Sequence, residues 1–111
     1  MVVDSGAHTF FTSHNWNSYA PNEFLLLTTT GPMGYGVAAT IGAMRARPEQ
    51  PHCVVVGDGS LLMHGMEIHT VARYKMPMVI VVINNSALAN VFLRTLKESE
   101  EAQALSSLPT Q

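Results

Sequence analysis

The sequence predicts an α/β fold, a parallel sheet flanked by helices, on three observations. His52 to Val56 and Met78 to Ile83 are each apolar nearly throughout rather than alternating, the pattern of strands covered on both faces. Leu62 to Tyr74 between them reads as a helix, which completes a βαβ unit. Gly34 to Arg47 reads as a second helix, carrying small residues at Ala38, Ala39, Gly42 and Ala43 that let it lie close to a neighbouring backbone. Arg45 and Arg47 suit the negative end of its dipole, and Pro48 closes it.

The remaining elements follow from shorter signals. Val2 to Asp4 reads as the end of a strand, with the chain beginning inside it. Phe24 to Thr28 is a short apolar run with the length of a strand. After Arg94 the character changes to Lys97, Glu98, Glu100 and Glu101, then Ser106-Ser107-Leu108-Pro109. The chain is therefore divided into a ligand-binding domain over 1–94 and a polar C-terminal helix or tail over 95–111. A truncated form of that fold is expected, with an open sheet edge that promotes association.

Composition excludes several classes of function. The 111 residues suit one domain, and 47% hydrophobic against 13% charged is too apolar for a disordered chain. A net charge of −2 supplies no basic footprint for nucleic acid. The longest apolar run, Met76 to Ile83, falls far short of the ~20 residues that span a membrane. The single cysteine and the absence of a signal-like N-terminus predict a cytoplasmic protein.

Chemistry concentrates at two strand ends. In an open parallel sheet ligands sit beyond the carboxyl ends of the strands. Gly57-Asp58-Gly59-Ser60 follows one strand and Asn84-Asn85-Ser86 follows the next, with 24 residues between Gly59 and Asn84. Glycines on either side of Asp58 are expected to allow a tight turn, and amides of Gly59 and Ser60 favour a phosphate. Asp58 would repel that phosphate unless a hard cation lies between them. Mg²⁺ takes oxygen ligands and completes its shell with phosphates and water. Asp58, the Asn85 side-chain oxygen and a backbone carbonyl suit it, so the residues describe a site for a magnesium diphosphate.

Gly57-Asp58-Gly59, the 24-residue spacer and Asn84-Asn85 together resemble the cofactor motif of thiamine-diphosphate-dependent enzymes. Gly31-Pro32-Met33-Gly34-Tyr35-Gly36, leading into the helix with Ile41-Gly42-Ala43, is similar to their pyrimidine-supporting loop. The likeness, over residues 2 to 94, is to the C-terminal cofactor-binding domain of the acetolactate synthase and 2-oxo-acid decarboxylase group. It implies the thiamine-diphosphate-binding fold, with thiamine diphosphate and Mg²⁺ as cofactors. Asp58, Asn85 and the carbonyl of Ala87 would hold Mg²⁺, and Gly57, Gly59 and Ser60 would hold the diphosphate. Met33 would be the apolar wedge that keeps the cofactor bent, and Gly31 would offer its carbonyl to the aminopyrimidine. His8 stands where the family places a diphosphate-contacting Gln-His pair, although Ala7 departs from it. Ala89 stands where many members have glycine, in the loop that approaches the diphosphate.

The resemblance implies a lyase or transferase that decarboxylates a 2-oxo acid, joins the resulting acyl carbanion to a second carbonyl, or both. Such an enzyme needs a glutamate from a separate pyrimidine-binding domain, and Glu23, Glu49 and Glu67 match no motif for it. A partner chain or subunit supplying that domain is therefore expected, in a homo- or hetero-oligomer, and no catalytic residue is assigned. A non-catalytic fragment, or another phosphate-ligand module on a Rossmann-like sheet, is the alternative. His64, Glu67 and His69 are read as structural or surface residues, because the histidines, five apart, diverge by about 140° around a helix. Cys53 is read as a small core residue, and Met63, Met66, Met76 and Met78 as core filling. His14, Trp16 and Tyr19 are placed in a polar segment near the mouth of the site.

Overall fold

The computed structural model describes residues 1–27 and 29–106, with side chains through residue 100 apart from Thr28. In chain order the elements are β1 (Val2–Val3), α1 (Ala7–Asn15), β2 (Leu25–Leu26), α2 (Gly36–Ala46), β3 (His52–Gly57) and α3 (Asp58–His64). A 3-10 turn (Gly65–Glu67), α4 (Ile68–Arg73), β4 (Met78–Ile83) and α5 (Ala89–Ser106) follow. The four strands form one parallel sheet in the order β2-β1-β3-β4. Parallel strands cannot be joined by tight turns, so each connection carries helical or loop structure across a face of the sheet.

Register explains where the core lies. Val2 pairs with Val54 and Val54 with Ile80, which puts these three side chains in one row. Val2, Val54 and Val56 pack with Val37 of α2, and Tyr35, Ala39, Ile41 and Leu61 close around them. Val3 and Val55, one residue out of phase, point to the opposite face and are also buried. β1 and the middle of β3 are thus covered on both faces, as expected for a parallel sheet.

β4 departs from that expectation. It is an edge strand, and Val79 is 60% exposed, with Val81, Val82 and Ile83 also exposed. Its apolar run reflects one covered face, carried by Met78 and Ile80, and a second face open at this edge.

Three helices differ from the sequence reading. α1 has no counterpart there, since Phe10 and Phe11 lie on its solvent side and leave no apolar stripe to read. Helical structure after β3 begins at Asp58 rather than Leu62, because Gly57 is extended (φ −77°, ψ 159°) and caps it directly. The 3-10 turn at Gly65 then breaks the helix and turns Met66 outward, 85% exposed, with Met63 half exposed. Those two methionines are surface residues, whereas Met78 packs on the core as expected. Finally, α5 is a single helix that starts at Ala89 and continues past Arg94. Part of the expected second strand, Thr28, and the expected tail from residue 107 lie outside the described residues.

A candidate thiamine-diphosphate cleft

A cleft opens at the carboxyl ends of β1, β3 and β4. Its walls come from Ser5 to His8 after β1, Gly57 to Ser60 after β3, Ile83 to Ala89 around the β4 end, and Met33. Nine of the ten residues singled out from the sequence line it: His8, Met33, Gly57, Asp58, Gly59, Ser60, Asn85, Ala87 and Ala89. Gly31 does not; it is exposed on the preceding loop, with φ +58°. His14, Trp16 and Tyr19 are exposed and lie outside the lining as well.

The glycines serve space rather than a tight turn. Gly57 has φ −77°, which any residue adopts, and Gly59 lies within α3. A Cβ on Gly57 would come within 3.3 Å of the His8 ring, and one on Gly59 within 2.8 Å of the Leu88 Cδ2 methyl. The missing side chain at Gly59 is therefore part of the cleft itself. Leu88 is exposed enough to swing its methyl aside, so Gly59→Ala should fold normally. The added methyl should nonetheless lower affinity for a diphosphate ligand by about tenfold or more, measured by calorimetry. Unchanged affinity would remove Gly59 from the site.

His8 supplies the electrostatic signature of the cleft. It is 6% exposed, and its Nε2 is buried without a hydrogen-bond partner. Buried polar atoms are nearly always paired, so an orphan at a cleft wall marks a missing ligand contact. Burial pushes the imidazole below its ordinary range, offset in part by the nearby Asp4 carbonyl and charge. Burial thus favours the uncharged imidazole, whose single N–H meets an anion in the cleft in the tautomer that carries the proton on Nε2.

Ser60 and the asparagines are held by local bonds. The Ser60 hydroxyl donates to the Ser5 carbonyl at 3.1 Å, tying α3 to the turn before α1. What Ser60 offers the cleft is therefore its backbone amide. Asn85 Oδ1 accepts the Ala87 N–H at 3.3 Å, and Asn84 Oδ1 accepts the Ser86 N–H at 3.1 Å. Ser86 sits at φ +52°, so these side-chain bonds hold a left-handed turn that carries Asn85 to the rim. Ala89 is the first residue of α5 rather than a loop residue. Cys53 is half-buried on β3 and burial pushes its thiol up, which makes it a poor nucleophile.

The geometry suits an anion carried by backbone amides, and comparison with known proteins decides which. The profile of the family described as "Thiamine pyrophosphate enzyme, C-terminal TPP binding domain" matches residues 4–108. The chain belongs to that family. The relatives it resembles include acetolactate synthase large subunits. It is 32% identical over 92 residues to a probable acetolactate synthase large subunit of Methanococcus aeolicus, covering 83% of this chain. It is 33% identical over 91 residues to the acetolactate synthase isozyme 2 large subunit of Escherichia coli, covering 82% of this chain. With the Haemophilus influenzae acetolactate synthase large subunit the figure is 34% over 91 residues, again 82% of this chain. The matched region amounts to only 15–17% of those relatives' lengths. The orphaned His8 Nε2 and the space left at Gly59 both fit the diphosphate of the family's cofactor. No helix among the described residues is long and apolar enough to cross a membrane.

Sequence reasoning did not find Asp4. It is 1% exposed at the tip of β1 and accepts N–H groups from Gly34 and Gly36, some thirty residues away. Its place just before Gly6-Ala7-His8, after an apolar pair, was the available signal.

Proposed function

We propose that this thiamine-pyrophosphate-binding domain serves an acetolactate-synthase-like enzyme, a lyase or transferase acting on 2-oxo acids. The enzyme decarboxylates a 2-oxo acid, joins the acyl carbanion to a second carbonyl, or both. The observation that carries this reading is one cleft joining His8, Met33, Asp58 to Ser60 and Asn85 to Ala89 across the chain. When bound, thiamine diphosphate supplies a nucleophilic thiazolium carbon and an electron sink for loss of CO₂.

The chain's own residues bind and orient. Amides of Gly59 and Ser60, with His8 Nε2 donating, hold the diphosphate, and Gly57 leaves room for the His8 ring. Asp58, Asn85 and the Ala87 carbonyl hold Mg²⁺, which reconciles the Asp58 charge with the phosphates. Among the described lining residues Asp58 is the only carboxylate. Met33 would be the apolar wedge on the thiazolium side and Ala89 would keep the wall near the diphosphate low, while Gly31, on the loop outside this lining, would offer its carbonyl to the aminopyrimidine. A pyrimidine-binding domain on another chain or subunit completes the site in an oligomer working in the cytoplasm.

Calorimetric titration of the chain tests the reading. Thiamine diphosphate with Mg²⁺ should bind weakly but measurably, and ADP and NAD should not bind. Equal binding of ADP or NAD would make the cleft a general phosphate-ligand site instead.

A further inference from the structure

We propose that Asp4 is the positioning residue of this cleft, its carboxylate setting the Met33 loop against the turn that carries His8. The inference rests on reading the cleft as a thiamine-diphosphate site. Asp4 itself is buried and lines no part of the cleft, so it acts through other residues.

Every polar atom of Asp4 is engaged. Its N–H donates to the Val55 carbonyl at 2.9 Å, and its carbonyl accepts the Thr9 hydroxyl at 2.8 Å. Oδ1 accepts N–H groups from Ser5 at 2.7 Å and Gly34 at 3.0 Å, while Oδ2 accepts the Gly36 N–H at 2.9 Å. These partners lie on β3 three residues before Asp58, in the turn entering α1, and in the loop entering α2. One residue thus ties the segments that bring Asp58, His8 and Met33 together: its main chain reaches β3 and α1, and its carboxylate joins Ser5 to the loop entering α2.

The loop depends on this contact because nothing local replaces it. α2 has no side-chain cap of its own, and Asp4 supplies a carboxylate at its first turn from across the sheet. Gly34 takes φ +87°, a left-handed conformation that must be held by something. With the Gly34 N–H bound to Oδ1, the adjoining Met33 is fixed over Gly59, its Cε 4.0 Å from the point a Cβ would occupy. Only a carboxylate accepts at both oxygens; Asp4→Asn keeps one acceptor and turns an NH₂ toward an N–H donor.

The test compares wild type with Asp4→Asn and Gly36→Ala, whose new Cβ would lie 3.0 Å from Asp4 Oδ2 and push the carboxylate away. Two readouts are used: the NMR contact between the Met33 methyl and Gly59, and calorimetric affinity for thiamine diphosphate with Mg²⁺. Both variants should keep the Val56 methyl shifts of a folded core yet lose the Met33 contact, with affinity lowered about tenfold or more. Val54 is not used as the reporter, because its Cγ2 lies 3.0 Å from the new Cβ in Gly36→Ala. A folded variant that keeps the Met33 contact would overturn the proposal, because a purely structural Asp4 changes stability and not loop position. If neither variant folds, scalar couplings in wild type from the Gly34 and Gly36 amides to the Asp4 carboxylate decide. Their presence supports the clamp and their absence refutes it. A wild-type chain that shows the Met33 contact but binds no thiamine diphosphate refutes the functional reading and leaves the Asp4 assignment standing.

Discussion

Asp58→Ala should abolish Mg²⁺-dependent thiamine diphosphate binding while leaving the fold intact. Asp58 opens α3 at the end of β3, and the cleft contains no second carboxylate to take over its charge. Losing it removes the metal's anionic ligand, and without the metal the diphosphate faces only amides and one neutral imidazole. The expected loss is about a hundredfold or more in affinity. The structural cost is small, because an acidic residue in a first helical turn contributes only about 0.3–1 kcal/mol. Calorimetry on the protein assembled with the proposed pyrimidine-binding domain, with Mg²⁺ and then with EDTA, measures both. Equal affinity under the two conditions would sink the metal assignment.

An equally large effect is expected from isolation. The chain alone, saturated with thiamine diphosphate and Mg²⁺, should release no CO₂ from pyruvate or other 2-oxo acids. The reaction needs a carboxylic acid at the pyrimidine. Among the described cleft residues the one carboxylate is Asp58, which the proposed reading assigns to the metal. Adding a pyrimidine-binding domain should restore turnover by supplying that acid. The open face of β4, with Val79 and Val81 exposed, and the exposed Phe92 and Leu93 of α5 favour such association. Turnover by a monodisperse monomer would overturn this expectation and require an internal proton relay.

Much of this molecule was legible in its sequence because the signals are local. β-branched runs mark β3 and β4, and Met78 to Ile83 matches the observed strand residue for residue. Gly57-Asp58-Gly59 and Asn84-Asn85 each sit at a strand end, so adjacency of β3 and β4 suffices to bring them together. The paired register from His52 to Gly57 with Met78 to Ile83 places both clusters on the same rim.

What the tertiary structure decided lies in contacts with no local period. α1 escaped notice because its helix is held by Thr9 bonding Gly6 and Asp4, rather than by an apolar stripe. The sequence singles out His8 only by resemblance, and it is the fold that buries it against Gly6 and Gly57 and leaves its Nε2 unpaired. Asp4 is an ordinary acidic residue in the sequence. Its role exists only when Gly34 and Gly36, 30 and 32 positions away, present their amides to it. Strand and helix character arise from neighbours along the chain, so sequence alone determined the parallel α/β class, the strands β3 and β4 and the two polar clusters at their ends. A carboxylate's partners arise from chain closure over the whole sheet, so only the folded molecule determined how the His8 turn and the Met33 loop are held in place.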